Sequence, residues 1–244
     1  MVLVHPAIET LNQCVEEDIA GHYAITAEHI RFYRENGYIK LKQVLAPETI
    51  HFYAKEISKQ VKRLNRHDIP MEERTTYQKA FLQVMNIWEY SEVVQEFVFS
   101  TKLGRMAADL LEVSGVRLYH DQALHKEPGG GITPWHADQY YWPLSGDRTV
   151  TAWVPLQKTP KEMGPIAFAS KSHHMAFGRD LEISDTSEAL IQKSLHEAQA
   201  DVEDSAFDLG EVSFHSGWTF HRAGANTSDS PREVITMIYM DENI

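Results

Sequence analysis

Apolar positions follow one period in the first half of the chain and another in the second. Ile50, Tyr53, Ile57, Val61 and Leu64 recur at three- and four-residue steps, which puts one stripe on the core side of a helix. Pro47 suits the first position of that helix, where its missing N–H is no loss. Upstream, Thr26 can cap a short helix running to about Asn36, and Gly37 stands where a left-handed C-terminal residue is wanted. Tyr38 to Val44 then alternates apolar and polar, the mark of a half-buried strand. Residues 1–25 show no comparable pattern and read as an irregular arm, and the charged stretch 65–76 reads as a mobile loop. A further helical stretch spans Ser91 to about Val113, broken near Thr101, with Leu103, Met106, Ala107, Leu110 and Leu111 on one side.

From Val116 onward the period shortens. Val116–Lys126, Thr149–Gln157, Pro165–Ala169, Glu211–Phe214 and Arg232–Met240 are runs rich in β-branched and aromatic residues, bounded by Gly, Pro, Asn and Asp. Short strands behind a helical front predict a mainly β fold with flanking helices, a jelly-roll core. The expected organisation is a single domain over 1–244, its helical part (about 1–115) packing on a core of about 116–244. Asp185–Asp204 is polar and helix-prone, an excursion over the barrel.

Composition narrows the function. A net charge of −12 offers no basic stripe to displace phosphate counterions, so no nucleic-acid partner is expected. No apolar run approaches the roughly 20 residues of a membrane span, and Met1–Glu17 lacks the features of a signal peptide. The single cysteine, Cys14, excludes an intrachain disulfide and fits a reducing, cytoplasmic setting. A monomer or homodimer acting on a small molecule is the expectation.

The chemistry gathers at Trp135-His136-Ala137-Asp138, answered downstream by His221 and Arg232. Two imidazoles and a carboxylate suit a non-haem Fe(II) centre, because they fill one face of the metal and leave positions for a cosubstrate and O₂. In an extended His-x-Asp both side chains face one way. With 13 histidines in the chain, that pattern alone carries little weight. His215 competes with His221 as the third ligand, and is the better candidate for a supporting or turn residue. Arg232 opens an apolar strand; it is either a solvated edge or a forked clamp for a distal carboxylate. Thr149, Thr151 and Trp153 share a strand face, either as ordinary core or as donor and wall for a cosubstrate. Gln122 and Lys126 share a face with His120 and could reach the same cavity, whereas His120, His125, His173 and His174 read as satisfied or surface residues. Tyr140, Tyr141 and Trp142 either wall a substrate or pack as core. Pro128-Gly129-Gly130-Gly131 lacks the lysine and helix of a phosphate loop; it permits a tight reversal or a close approach to ligand.

These residues resemble the phytanoyl-CoA dioxygenase-like group of Fe(II)/2-oxoglutarate-dependent oxygenases. The resemblance is carried by Tyr119–Leu124, Thr133–Gln139, Thr151-Ala152-Trp153, Ala169–His173 and Phe214–His221, with Arg232 eleven positions after His221. It implies a double-stranded β-helix in which His136, Asp138 and His221 bind Fe(II). It also implies that Arg232 holds the far carboxylate of 2-oxoglutarate and that Thr151 and Trp153 line that pocket; Gln122 and Lys126, from their shared strand face, are candidates to face substrate or cosubstrate. The implied reaction oxidises a C–H bond of a small metabolite with O₂, releasing succinate and CO₂. Relatives often carry a serine two residues after the distal histidine; here Ala223 stands there, so another donor such as Thr151 would be needed. Asp138 argues against halogenating relatives, which vacate that position. The alternatives are a non-catalytic jelly-roll protein that binds metal or a small acid, and an iron oxygenase that does not use 2-oxoglutarate. The absence of a basic cluster near the motifs favours a substrate without coenzyme A, and residues 65–76 and 175–204 read as lids.

Overall fold

The computed structural model describes residues 6–65 and 69–244. Pro6–Ala20 is helical (α1), which corrects the expected irregular arm; residues 1–5 of that stretch lie outside the described residues. Among the described side chains of α1 only Val15 and Ile19 are buried, too few to show as a stripe in the sequence. Thr26 caps α2 (Ala27–Asn36) by accepting from the His29 backbone N–H, and Gly37 closes it at φ +81°. A side chain at Gly37 would collide with His173 and Thr219, so the conformation and the space both require glycine. β1 covers Tyr38–Leu41, shorter than the expected run to Val44.

α3 (Pro47–Leu64) buries Ile50, Tyr53, Ile57 and Val61, and Leu64 is only partly covered. Each such side chain contributes roughly 1.5–3 kcal/mol of burial. In the expected loop 65–76, positions 66–68 lie outside the described residues, Met71–Glu73 forms a 3-10 turn, and Thr75 caps α4 (Thr76–Ala80). β2 (Leu82–Met85), α5 (Glu92–Val98), α6 (Thr101–Leu111), β3 (Val116–His125) and β4 (Thr133–His136) follow. The break at Thr101 is where Ser100 caps α6. The remaining elements are β5 (Thr149–Pro155), β6 (Ile166–Ala169), α7 (Asp185–Glu197), β7 (Val202–Glu203), β8 (Val212–Ser216), β9 (His221–Ala223) and β10 (Val234–Asp241).

Two antiparallel sheets result, in the orders β1-β8-β5-β10-β3-β2 and β4-β9-β6-β7. Phe168 of the smaller sheet stacks on Tyr38 (4.7 Å between centroids) and lies 5.2 Å from the His215 ring, both in the larger sheet. The sheets therefore face one another, as in the jelly-roll core expected from the strand pattern and the double-stranded β-helix that the resemblance implies. Helices cover the outer face of the larger sheet: Ile50, Phe97, Leu103 and Met106 join Val150, Ala152, Phe214 and Met237 in one apolar cluster. Among the described residues no helix is long and apolar enough to cross a membrane.

β3 also buries Asp121. One carboxylate oxygen accepts from the Ile87 N–H at 3.1 Å and the other has no partner. Burial pushes this acid up to about 6 from 3.8. The folded state then holds a proton that the unfolded chain has released, so stability falls as pH rises from about 4 to 6. Asp121→Asn is expected to remove a slope totalling no more than about 3 kcal/mol. Urea denaturation of both proteins across that pH range measures the difference.

Candidate active site

His136 ends β4, Ala137 stays extended (φ −122°, ψ 129°), and Asp138 opens a 3-10 turn. The extended Ala137 keeps both side chains on the same side, as the spacing predicts. β9 pairs with β4 so that His136 lies directly opposite His221. The ligating atoms of His136, Asp138 and His221 lie within 4.8 Å of one another.

Tautomer and orientation follow from the hydrogen bonds. His136 Nδ1 meets the Pro134 carbonyl at 2.7 Å, and His221 Nδ1 meets that of Thr219 at 3.0 Å. A carbonyl can only accept, so each Nδ1 donates, and each Nε2 carries a lone pair toward the site. Both Nε2 atoms stand 3.6 Å from Asp138 Oδ1. Oδ2 is used differently: Thr151 Oγ1 donates to it at 3.1 Å and His215 Nε2 lies 3.4 Å away. One oxygen faces the imidazoles while the other is tied to the opposite sheet. Burial disfavours the Asp138 charge, but His221, His136 and His215 outweigh it and hold the acid well below the usual carboxylate range. His221 is pushed well below the ordinary histidine value, first by burial and then by His136. A neutral imidazole is the form that coordinates a metal.

α7 and its N-terminal turn brace this strand. Glu188 accepts from the Trp135 N–H at 2.8 Å, and Ser187 Oγ donates to the Trp135 carbonyl at 3.0 Å. Most of the expected lid is therefore a clamp on β4, and the segment that reaches the cavity is Glu182-Ile183. Tyr141 holds it, its hydroxyl accepting from the Ile183 N–H at 2.7 Å.

Arg232 is 2% exposed, and its Nη1 donates to the Gly164 carbonyl at 2.6 Å. Gly164 sits at φ +66° against the Gly224 backbone, leaving no room for a side chain. The guanidinium lies 5.6 Å from the Trp153 ring, and its Nε is buried without a partner. Among the described residues no carboxylate pairs with Arg232. Lys126 lies directly opposite it, the two exchanging backbone hydrogen bonds of 2.9 and 2.8 Å. Like charges facing each other across a strand pair are destabilising unless an anion joins them. Burial, then Arg232 and Arg222, pushes Lys126 down to about 6. Its ammonium donates to the Gly131 carbonyl and lies 3.5 Å from Thr133 Oγ1.

A cavity of about 520 Å³ joins the triad to Arg232. Thr151, Trp153, Gln122 and Arg232 line it, as do Tyr141 and Trp142; Lys126 and Tyr140 are not on its wall. Trp153 also packs on Phe207 and Val234, so wall and core are one residue. Thr151 lines the cavity, and its hydroxyl also donates to Asp138 Oδ2. Thr133, paired with Ala223 across the β4–β9 ladder, lines the cavity too; nothing in its sequence context marked it. The glycine run is a turn, Gly129 and Gly130 bonding to Asn226 and Glu127, and it lines no part of the cavity. His120 and His125 are buried, and each has one ring nitrogen without a partner, so neither is the fully satisfied histidine expected.

The family model for phytanoyl-CoA dioxygenase matches residues 33–234. The chain belongs to that family. A probable alpha-ketoglutarate-dependent hypophosphite dioxygenase of Stutzerimonas stutzeri is 25% identical over 227 residues, covering 87% of this chain and 78% of the relative. Among solved structures, the non-heme alpha ketoglutarate dependent carbocyclase SnoK from nogalamycin biosynthesis superposes with a TM-score of 0.76 at 25% identity, covering 91% of this chain and 87% of that one. The epimerase SnoN, in complex with Fe3+, alpha ketoglutarate and nogalamycin RO, gives 0.68 at 25% identity over 87% and 82%. EctD from S. alaskensis gives 0.72 at 16% identity over 93% and 81%, a likeness of fold. These solved structures share the fold of this chain.

Thr151→Val would leave the β5 backbone intact and remove the donor that fixes Asp138 Oδ2. A loss of 10- to 100-fold in metal affinity is expected, the usual size for such supporting contacts. Equilibrium dialysis against Fe(II) without oxygen measures it.

Proposed function

We propose that this protein is an Fe(II)- and 2-oxoglutarate-dependent dioxygenase that oxidises a C–H bond of a small organic molecule, releasing succinate and CO₂. The observation that carries this reading is the buried Arg232, without a carboxylate partner among the described residues, in the same cavity as a two-histidine, one-carboxylate cluster. The donor set fits a metal with open positions. The unpartnered guanidinium fits a carboxylate, with which it can make two parallel charge-assisted bonds.

His136, Asp138 and His221 would hold Fe(II). Arg232 would take the far carboxylate of 2-oxoglutarate, Thr133 supplying the hydroxyl that Ala223 cannot. Iron and 2-oxoglutarate together supply the oxidising power for the C–H bond. The chain's own groups position and shield. Thr151 and His215 fix the Asp138 carboxylate so that Oδ1 faces the imidazoles. The backbone carbonyls of Pro134 and Thr219 set both tautomers. Trp153 screens the Arg232 charge from water, which strengthens its attraction for an anion.

Calorimetric titration of 2-oxoglutarate into oxygen-free protein tests the reading. Binding that tightens when Fe(II) is present is expected. Equal affinity with and without metal would overturn the proposal, because the metal would then contribute nothing to holding the cosubstrate.

A further inference from the structure

The cavity extends well beyond what a five-carbon dicarboxylate needs, and its wall has a consistent character. Its apolar lining is rich in aromatic rings and includes Tyr77, Phe81, Met85, Tyr119, Tyr141 and Trp142. Aromatic walls hold flat apolar groups by buried area and offset stacking. About 520 Å³ is within the range of sites for small organic molecules.

Charge on the wall is sorted by position. Arg232 lies at the cosubstrate end. Arg222, the other basic residue on the wall, is paired with Glu188 at 2.8 Å and lies over the Trp135 ring. Among the described residues no further lysine or arginine lines the cavity. The acid on the outer wall is Glu182, exposed and next to the Ile183 that Tyr141 holds. A substrate anion would pass Glu182 and then sit in the cavity with no unpaired lysine or arginine beyond Arg232 to meet it. Desolvating a charge without a partner is costly.

One polar device remains unused. The Tyr77 hydroxyl donates to Gln83 Oε1 at 2.8 Å, and Gln83 Nε2 donates to Gln122 Oε1 at 2.6 Å. These bonds orient the Gln122 amide, whose Nε2 has no acceptor among the described residues. Gln122 lines the cavity from β3, beside His120. An oriented amide N–H₂ on an aromatic wall selects a carbonyl or hydroxyl oxygen.

Resting on the dioxygenase reading, we propose that the substrate is an uncharged or cationic molecule built on a flat ring system. It carries a carbonyl or hydroxyl oxygen that accepts from Gln122 Nε2. Thioesters of coenzyme A and small inorganic anions do not fit this cavity.

A matched series tests this on protein loaded with Fe(II) and 2-oxoglutarate without oxygen. The probes are 2-naphthol, 6-hydroxy-2-naphthylmethylammonium, 2-naphthoate and the coenzyme A thioester of 2-naphthoic acid, with binding read by tryptophan fluorescence. The first two are expected to bind at least about tenfold more tightly than the last two. Gln122→Leu should weaken 2-naphthol about tenfold, and Glu182→Gln should narrow the gap between 2-naphthol and 2-naphthoate. Tighter binding of the naphthoate or the thioester to the wild type overturns the proposal. A Gln122→Leu variant that loses affinity for 2-oxoglutarate instead also overturns it, since Gln122 would then serve the cosubstrate. Failure of 2-oxoglutarate itself to bind the wild type overturns the dioxygenase reading beneath.

Discussion

His221→Ala is expected to lose Fe(II) affinity by more than about 100-fold, and turnover of 2-oxoglutarate with it. Removing a residue that merely supports a ligand costs about 10- to 100-fold, so deleting one of three donors costs more. His215 provides the control. Its ring is 4.5 Å from that of His221, yet among the described residues the only polar partner of its side chain is Asp138 Oδ2. His215→Ala should therefore stay within the smaller range, whereas His221→Ala should not. Dialysis of both variants against Fe(II) separates them, and equal losses would mean that the wrong histidine has been assigned as ligand.

Arg232→Met is expected to act in opposite directions on binding and on stability. Truncating one partner of a buried charge pair costs about 2–5 kcal/mol, or roughly 30-fold to several thousand-fold in 2-oxoglutarate affinity. Without ligand, however, Arg232 is a buried cation opposite Lys126, with no carboxylate partner among the described residues. Replacing such a charge by an apolar side chain of similar length is neutral or stabilising. The ligand-free variant should melt at the same temperature or higher, and 2-oxoglutarate should raise that temperature in the wild type only. Arg232→Lys should fall between the two, because an ammonium cannot reproduce the two-pronged contact. A variant that is destabilised without ligand would show that Arg232 serves the fold and not an anion.

Much of this site is legible in the chain because its motifs lie on regular strands. The His-x-Asp spacing works through one extended residue, Ala137, and period-two alternation correctly places Thr151 and Trp153 on the cavity. What the sequence hides are partnerships across the two sheets. Thr151 is bonded to Asp138, because β5 lies opposite the turn after β4. Thr133 gains its place only through pairing with Ala223, a contact 90 positions away in sequence. The Tyr77–Gln83–Gln122 relay begins in the short helix α4 and strand β2, neither of which has enough apolar residues to show a period. Lys126 shows the limit of alternation: it shares a strand face with Gln122, but its ammonium is drawn to the Gly131 carbonyl and does not line the cavity. In the helical front, strong stripes such as that of α3 are read to the residue, and the polar α1 is missed.

The most direct test of the central claim is simultaneous measurement of O₂ consumed and succinate formed when 2-oxoglutarate and Fe(II) are supplied. The site described here predicts equal amounts of both, no reaction without Fe(II), and none in His136→Ala. Succinate formation that persists in His136→Ala, or O₂ uptake indifferent to 2-oxoglutarate, would contradict it.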